Sequence, residues 1–308
     1  MILEQIGEIP LPAHVGPGGF DHAAAHSRRR QLYVAHTANS ALDVIDCETS
    51  TYAHSIPGLA GVAGALVSEE RDLVFTSNRG ENSVGIFAPG HEDALAKVTV
   101  GVRPNGLAYD PVRSLLVAAN VGDPSLPGSC TVSVVDVSAR TLIADVPVSG
   151  RTRWTVFDPD AGCFYVNIAD PPQIVVIDSA KPARVARTFP VSAAGPHGLD
   201  LDLATRRLFC ACDGQALVVL DAKSGKELAG AELGGAPDVI FFNRDRRHLY
   251  VAIGDPGVIE VFETDTMQRV EAIRTEAGAH TLGFDQATDT VYAFLPHSPR
   301  ALVFHDRG

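Results

Sequence analysis

Histidine, aspartate and arginine carry most of the chemistry this sequence has to offer, and their positions follow a rule. His22, Ala63, Asn105, Arg153, His197, Asp238 and His280 stand at equivalent points of a pattern that recurs every 41 to 48 residues. Four consecutive copies, counted around a closed ring, therefore contribute His197, Asp238, His280 and His22. Three imidazoles and a carboxylate form a ligand set suited to a divalent ion such as zinc, iron, manganese, nickel or copper. Such an ion acidifies its bound water and generates hydroxide near neutral pH. On that expectation His22, His197, His280 and Asp238 are metal ligands, and Asp238 is also a catalytic base. Arg153 orients the substrate, because a guanidinium offers a two-pronged fork to a carboxylate. Asn105 shares that arc, and His36 ends a neighbouring strand, so both join Arg153 as substrate-binding candidates. His14, Asp21 and His297 lie on nearby connections. The chemistry is that of a metal-dependent hydrolase, lactonase or lyase acting on a small, anionic molecule.

The elements that must hold these residues are short strands. An apolar segment recurs as Leu32-Tyr-Val-Ala35, Leu73-Val-Phe-Thr76, Leu116-Val-Ala-Ala119, Phe164-Tyr-Val-Asn167, Leu208-Phe-Cys-Ala211, Leu249-Tyr-Val-Ala252 and Val291-Tyr-Ala-Phe294. About ten residues after it a second apolar strand ends in a turn residue, as in Val132-Ser-Val-Val-Asp136 and Ile174-Val-Val-Ile-Asp178. Another strand precedes each copy, as in Leu107-Ala-Tyr-Asp110, and a more polar one follows, as in Thr141–Pro147. Four antiparallel strands per unit of roughly forty residues describe one blade of a β-propeller. Helical periodicity is missing, which excludes a helical repeat. Seven copies predict an all-β, seven-bladed propeller occupying residues 1–308 as one domain.

The last blade supplies three strands, and Leu3–Pro10 has the character of a fourth without a blade of its own. It is expected to pair at the outside of the last blade and close the ring, leaving no open edge. Two connections exceed the needs of the repeat, Pro10–Asp21 and Val121–Cys130, and both are expected on the face where the innermost strands begin. The repeat residues, Tyr-Val-x-x followed by Val-x-Val-Ile-Asp with a preceding Pro-x-Gly and Asp-Pro, resemble the YVTN-repeat propellers, also called the YncE-like family. That resemblance covers essentially the whole chain and implies the propeller fold. The family includes binding proteins, surface-layer proteins and relatives of enzymes. Two further functional readings follow. One is a metal-free enzyme of lactonase or cycloisomerase type, using His197 or His280 with Arg153. The other is a non-catalytic interaction or ligand-binding propeller that meets a protein partner through its two long top-face connections.

Composition narrows the field. The net charge is −12, and without a basic face neither nucleic acid nor an anionic membrane surface is an expected partner. The first residues lack a basic stretch followed by an apolar one, so no signal peptide is expected and the location is cytoplasmic. A periplasmic location would need a leader to have been removed. Five cysteines, Cys47, Cys130, Cys163, Cys210 and Cys212, form no CxxC pair and are expected to be small core residues. No Gly-x-Ser-x-Gly elbow, His-Glu-x-x-His pair or Gly-rich phosphate loop is present. His22 and His26 have helical spacing, but the repeat register places them on a strand, two pleats apart. Arg28-Arg29-Arg30 falls on a solvated hairpin. Trp154, next to an anchor, is expected to pack between blades. Asp43, Asp46, Asp136, Asp178 and Asp221 are expected to cap turns.

Overall fold

The computed structural model describes all residues from Met1 to Gly308 and contains seven four-stranded antiparallel sheets. Their innermost strands are Ala23–His26, Val62–Ser68, Pro104–Asp110, Thr152–Asp158, Pro196–Asp202, Pro237–Asn243 and Thr281–Asp285, defining blades one to seven. No helix is long and apolar enough to cross a membrane.

Position within a blade sets composition. The second and third strands are covered on both faces by neighbouring blades, so they read as nearly unbroken apolar runs such as Gln173–Asp178. The outermost strands touch solvent, and Glu227–Glu232 is almost entirely exposed. Seven apolar clusters make up the core, one between each pair of neighbouring blades. Between blades four and five, for example, Tyr165 and Ile174 pack on Leu199 and Cys210. All five cysteines are free, and Cys163, Cys210 and Cys212 are buried. Asp46 caps its turn as expected, accepting from the amides of Glu48 and Thr49 at 2.9 Å each. Asp136, Asp178 and Asp221 act alike. Asp43 does not. It lies inside a strand, fully buried, and bonds His36 instead.

Ring closure follows the expected route. Leu3–Pro10 pairs antiparallel with Arg300–Asp306 as the outermost strand of blade seven. Both long connections lie on the face where the inner strands begin, here called the top. Asp21 donates its amide to Ala35, and Val121 donates to Arg103, just ahead of the inner strand of blade three.

Candidate anion site at the top of the channel

The equivalent positions converge because inner strands crowd the axis. Three follow-on glycines permit the approach: a Cβ on Gly64, Gly106 or Gly198 would sit 2.5 Å from the carbonyl oxygen of Asn105, Arg153 or Asp238 on the next blade. Without those side chains, adjacent inner strands bring Asn105, Arg153, His197 and Asp238 toward one mouth. His22 and His280 each stand one residue before their strands.

His197 is the hub. Its Nδ1 lies 2.7 Å from Asp213 Oδ1, and its Nε2 lies 3.1 Å from Asp238 Oδ1. Burial opposes a charge on the ring, but Asp238 and the hydrogen bonds to both carboxylates outweigh it and push the pKa up to about 9. His197 is therefore an imidazolium at neutral pH, donating from both nitrogens. Burial would raise the Asp238 carboxyl, yet His197 and the other nearby histidines hold it well below the usual range. Arg153 Nη1 also lies 3.1 Å from His197 Nε2. Two cations cannot share a hydrogen bond there. They are held together by Asp213, whose other oxygen is 3.2 Å from Arg153 Nη2.

His280 is different. Its Nδ1 faces the Gly278 carbonyl at 2.8 Å, which can only accept, so in the neutral ring Nδ1 carries the proton and Nε2 the lone pair. That Nε2 stands 3.9 Å from Asp238 Oδ2, and the side chain is about a third exposed. His22 is buried, and burial lowers its pKa. Its ring packs on Trp154 from blade four at a centroid distance of 4.0 Å, tilted by 41°. This pair spans the channel and roofs a cavity of about 490 Å³ beneath it. Trp154 thus lines the channel while also packing, as its position suggests, against the cluster between blades four and five.

The positive arc is fuller than the anchors imply. Arg79 Nη2 bonds Asn105 Oδ1 at 2.5 Å and lies 3.3 Å from Asp21 Oδ2. Arg103 and Arg151 join Arg79 and Arg153, and after burial it is these three charges that lower the Arg151 pKa. The Nε atoms of Arg79 and Arg153 are buried and have no hydrogen-bond partner. Beside this arc lies a pocket of about 260 Å³ between Arg103, Arg151 and the Val121–Cys130 connection.

The proposed metal ligands come together without forming a metal centre, which corrects that expectation. No group of three or more His, Cys, Asp or Glu side chains is placed to hold an ion. Asp213 and Asp238 occupy both nitrogens of His197. His22 is committed to its packing against Trp154. His36 is a second correction: it is fully buried, with Nδ1 2.7 Å from Asp43 Oδ2 and Nε2 2.7 Å from His14 Nδ1. It ties a connection to blade one and does not line the mouth. Asn105 does reach the mouth, where it positions Arg79. His26 lies at the opposite end, bonded to Asp72.

Arg79 and Asp213, absent from the sequence reading, occupy one repeat position of their own. The residue after each second strand is Thr37, Arg79, Val121, Ala169, Asp213, Gly254 and Pro296 in turn. Comparing copies at that position, as at the anchors, separates the two charged ones from five bland ones.

No protein-family model matches the chain, and no curated protein matches its sequence. Solved structures do match. Hydrazine synthase from Kuenenia stuttgartiensis aligns with TM-score 0.83 and 13% identity over 96% of this chain and 98% of that one. A chain of the mitotic checkpoint complex aligns with TM-score 0.83 and 10% identity, covering 98% of this chain and 91% of that one. The fold is a seven-bladed β-propeller. At such identities the likeness concerns architecture alone, and propellers serve both ligand binding and catalysis. The resemblance to the YVTN-repeat propellers rests on the repeat residues only.

Proposed function

We propose that the top of the channel is a metal-free site for a small carboxylate-bearing molecule. The observation that supports this best is the pair of buried, unpartnered Nε donors on Arg79 and Arg153, within a crowd of four guanidinium groups. An unmade hydrogen bond at a buried charged donor costs about 1–3 kcal/mol or more, and an anion arriving there recovers it. A carboxylate is the matching shape, because it accepts two parallel N–H bonds from one guanidinium. The pocket beside Arg103 and Arg151 offers room for the rest of the ligand.

Across the mouth His280 Nε2 is the proton acceptor, and Asp238 steadies the charge the ring takes up. His197 is the fixed cation that keeps Asp238 ionised and in place. Such a pair activates water on a lactone carbonyl or withdraws a proton next to a carboxylate. The reaction class is lactone hydrolysis or cycloisomerisation, with Arg153 orienting the substrate and His280 acting as general base.

A screen of carboxylate-bearing lactones against protein dialysed free of metal tests this reading. Turnover is expected without added metal, and His280→Gln is expected to cut kcat by about 10²–10⁴ with little change in KM. Arg153→Gln should instead raise KM. Turnover that appears only on adding a divalent ion contradicts the reading, as does activity insensitive to both substitutions.

A further inference from the structure

The cavity beneath the His22–Trp154 roof has a chemistry of its own. Its volume of about 490 Å³ lies within the range of small-molecule pockets. It runs along the inner strands to the bottom mouth, where it reaches Glu69 and Glu70. One layer of its wall can be compared blade by blade. The inner-strand residues paired with Tyr33, Phe75, Val117, Tyr165, Phe209, Tyr250 and Tyr292 are Ala24, Leu66, Ala108, Val156, Asp200, Phe241 and Gly283. Six are apolar or glycine. Asp200 alone is charged.

Nothing in the fold neutralises it. The carboxylate accepts from the amides of Leu201 and Phe242 at 2.7 Å each. The other charge acting on it is a second carboxylate, Asp202, and burial pushes its pKa up to about 6. At pH 7.5 it is ionised, in a wall where the flanking blades supply Trp154 and Phe241, with ring centroids 6.4 Å apart. Phe284 continues the aromatic surface at 6.2 Å from Phe241. A carboxylate beside aromatic faces in the wall of an apolar cavity recognises a cation with an apolar body. The aromatic faces attract an ammonium group by their quadrupoles, most strongly where water is excluded.

We propose that this channel binds a small organic ammonium compound, with its cationic head at Asp200 and its apolar body against Trp154, Phe241 and Phe284, entering from the bottom mouth. This site is separate from the anion site above the roof and opposite to it in charge preference. The Glu70 carboxylate at the entrance favours the same class of ligand.

Trp154 is the only tryptophan of the chain, so its fluorescence reports directly on the cavity. The test is a titration at pH 7.5 with phenethylamine, 2-phenylethanol and 3-phenylpropionate, three probes of similar shape and different charge. A saturable change is expected with the amine, at least tenfold weaker affinity for the alcohol, and no saturation with the acid. Asp200→Asn should weaken the amine at least tenfold and leave the alcohol unchanged. Ala24→Phe, which fills the cavity from its wall, should abolish binding of both. Equal affinity for amine and alcohol overturns the proposal. So does an amine response that survives Asp200→Asn, or the absence of any saturable response. Charge discrimination by the unaltered protein decides the matter even if Asp200→Asn does not fold.

Discussion

Asp213 and Asp238 grip His197 from opposite sides, and that grip fixes how the molecule responds to pH. A histidine whose pKa is raised on folding contributes stability that is complete below its unfolded value of ~6.5. The contribution is lost as pH climbs through the folded value, about 9 here. Asp238 works in the other direction: its depressed carboxyl contributes above the ordinary ~3.9 and loses that contribution as pH falls below it. Urea unfolding should therefore show the wild-type protein losing stability between pH 6.5 and 9.5, with the loss removed in His197→Gln. A wild-type curve flat over that window would mean that His197 is not held as an imidazolium. Asp213→Asn should lower the His197 midpoint in an NMR titration toward ~6.5. Its cost should be modest, ~1 kcal/mol, because the Asp213 side chain is 36% exposed.

Among the elements, the inner strands decide whether the mouth exists. Gly198 lets the Asp238 carbonyl approach, and a methyl group there would lie 2.5 Å from backbone oxygen, which has little freedom to retreat. Gly198→Ala should cost ~1–3 kcal/mol in denaturant unfolding and weaken any ligand of the mouth, since His197 and Asp238 would be pushed apart. An unchanged midpoint would show that the blades yield more easily than their packing indicates. The strands themselves were legible in the sequence, since turn residues and apolar pairs recur with the blade. So was the convergence of His197, Asp238, His280 and His22, because repeat equivalence is a statement about angle around an axis. What equivalence omits is side-chain competition. Asp213 and Asp238 between them take both nitrogens of His197. Trp154 draws His22 against its ring, and Asp43 with His14 draws His36 into a blade. Each of these partners lies on a different element, so no spacing in the sequence announces it.

At the scale of the whole molecule, the ring is closed by the chain's first strand. Leu3 and Ile9 are essentially fully buried there, and each contributes ~1.5–3 kcal/mol on burial. Deleting residues 1–10 should lower the unfolding free energy by at least ~3 kcal/mol and expose the edge of Arg300–Asp306, which promotes association. Light scattering together with urea unfolding would register both, and a deletion variant as stable and monomeric as the parent would contradict this closure. The ring also divides the channel at His22 and Trp154 into an upper region rich in guanidinium and a lower, largely apolar one with the Asp200 carboxylate in its wall. That division underlies both ligand assignments. The upper one is tested most directly by calorimetric titration of succinate and other small carboxylates into metal-stripped protein, wild type beside Arg153→Gln. The account predicts saturable binding without any divalent ion, weakened at least tenfold by the substitution. Binding that requires added metal, or that ignores Arg153→Gln, would contradict it.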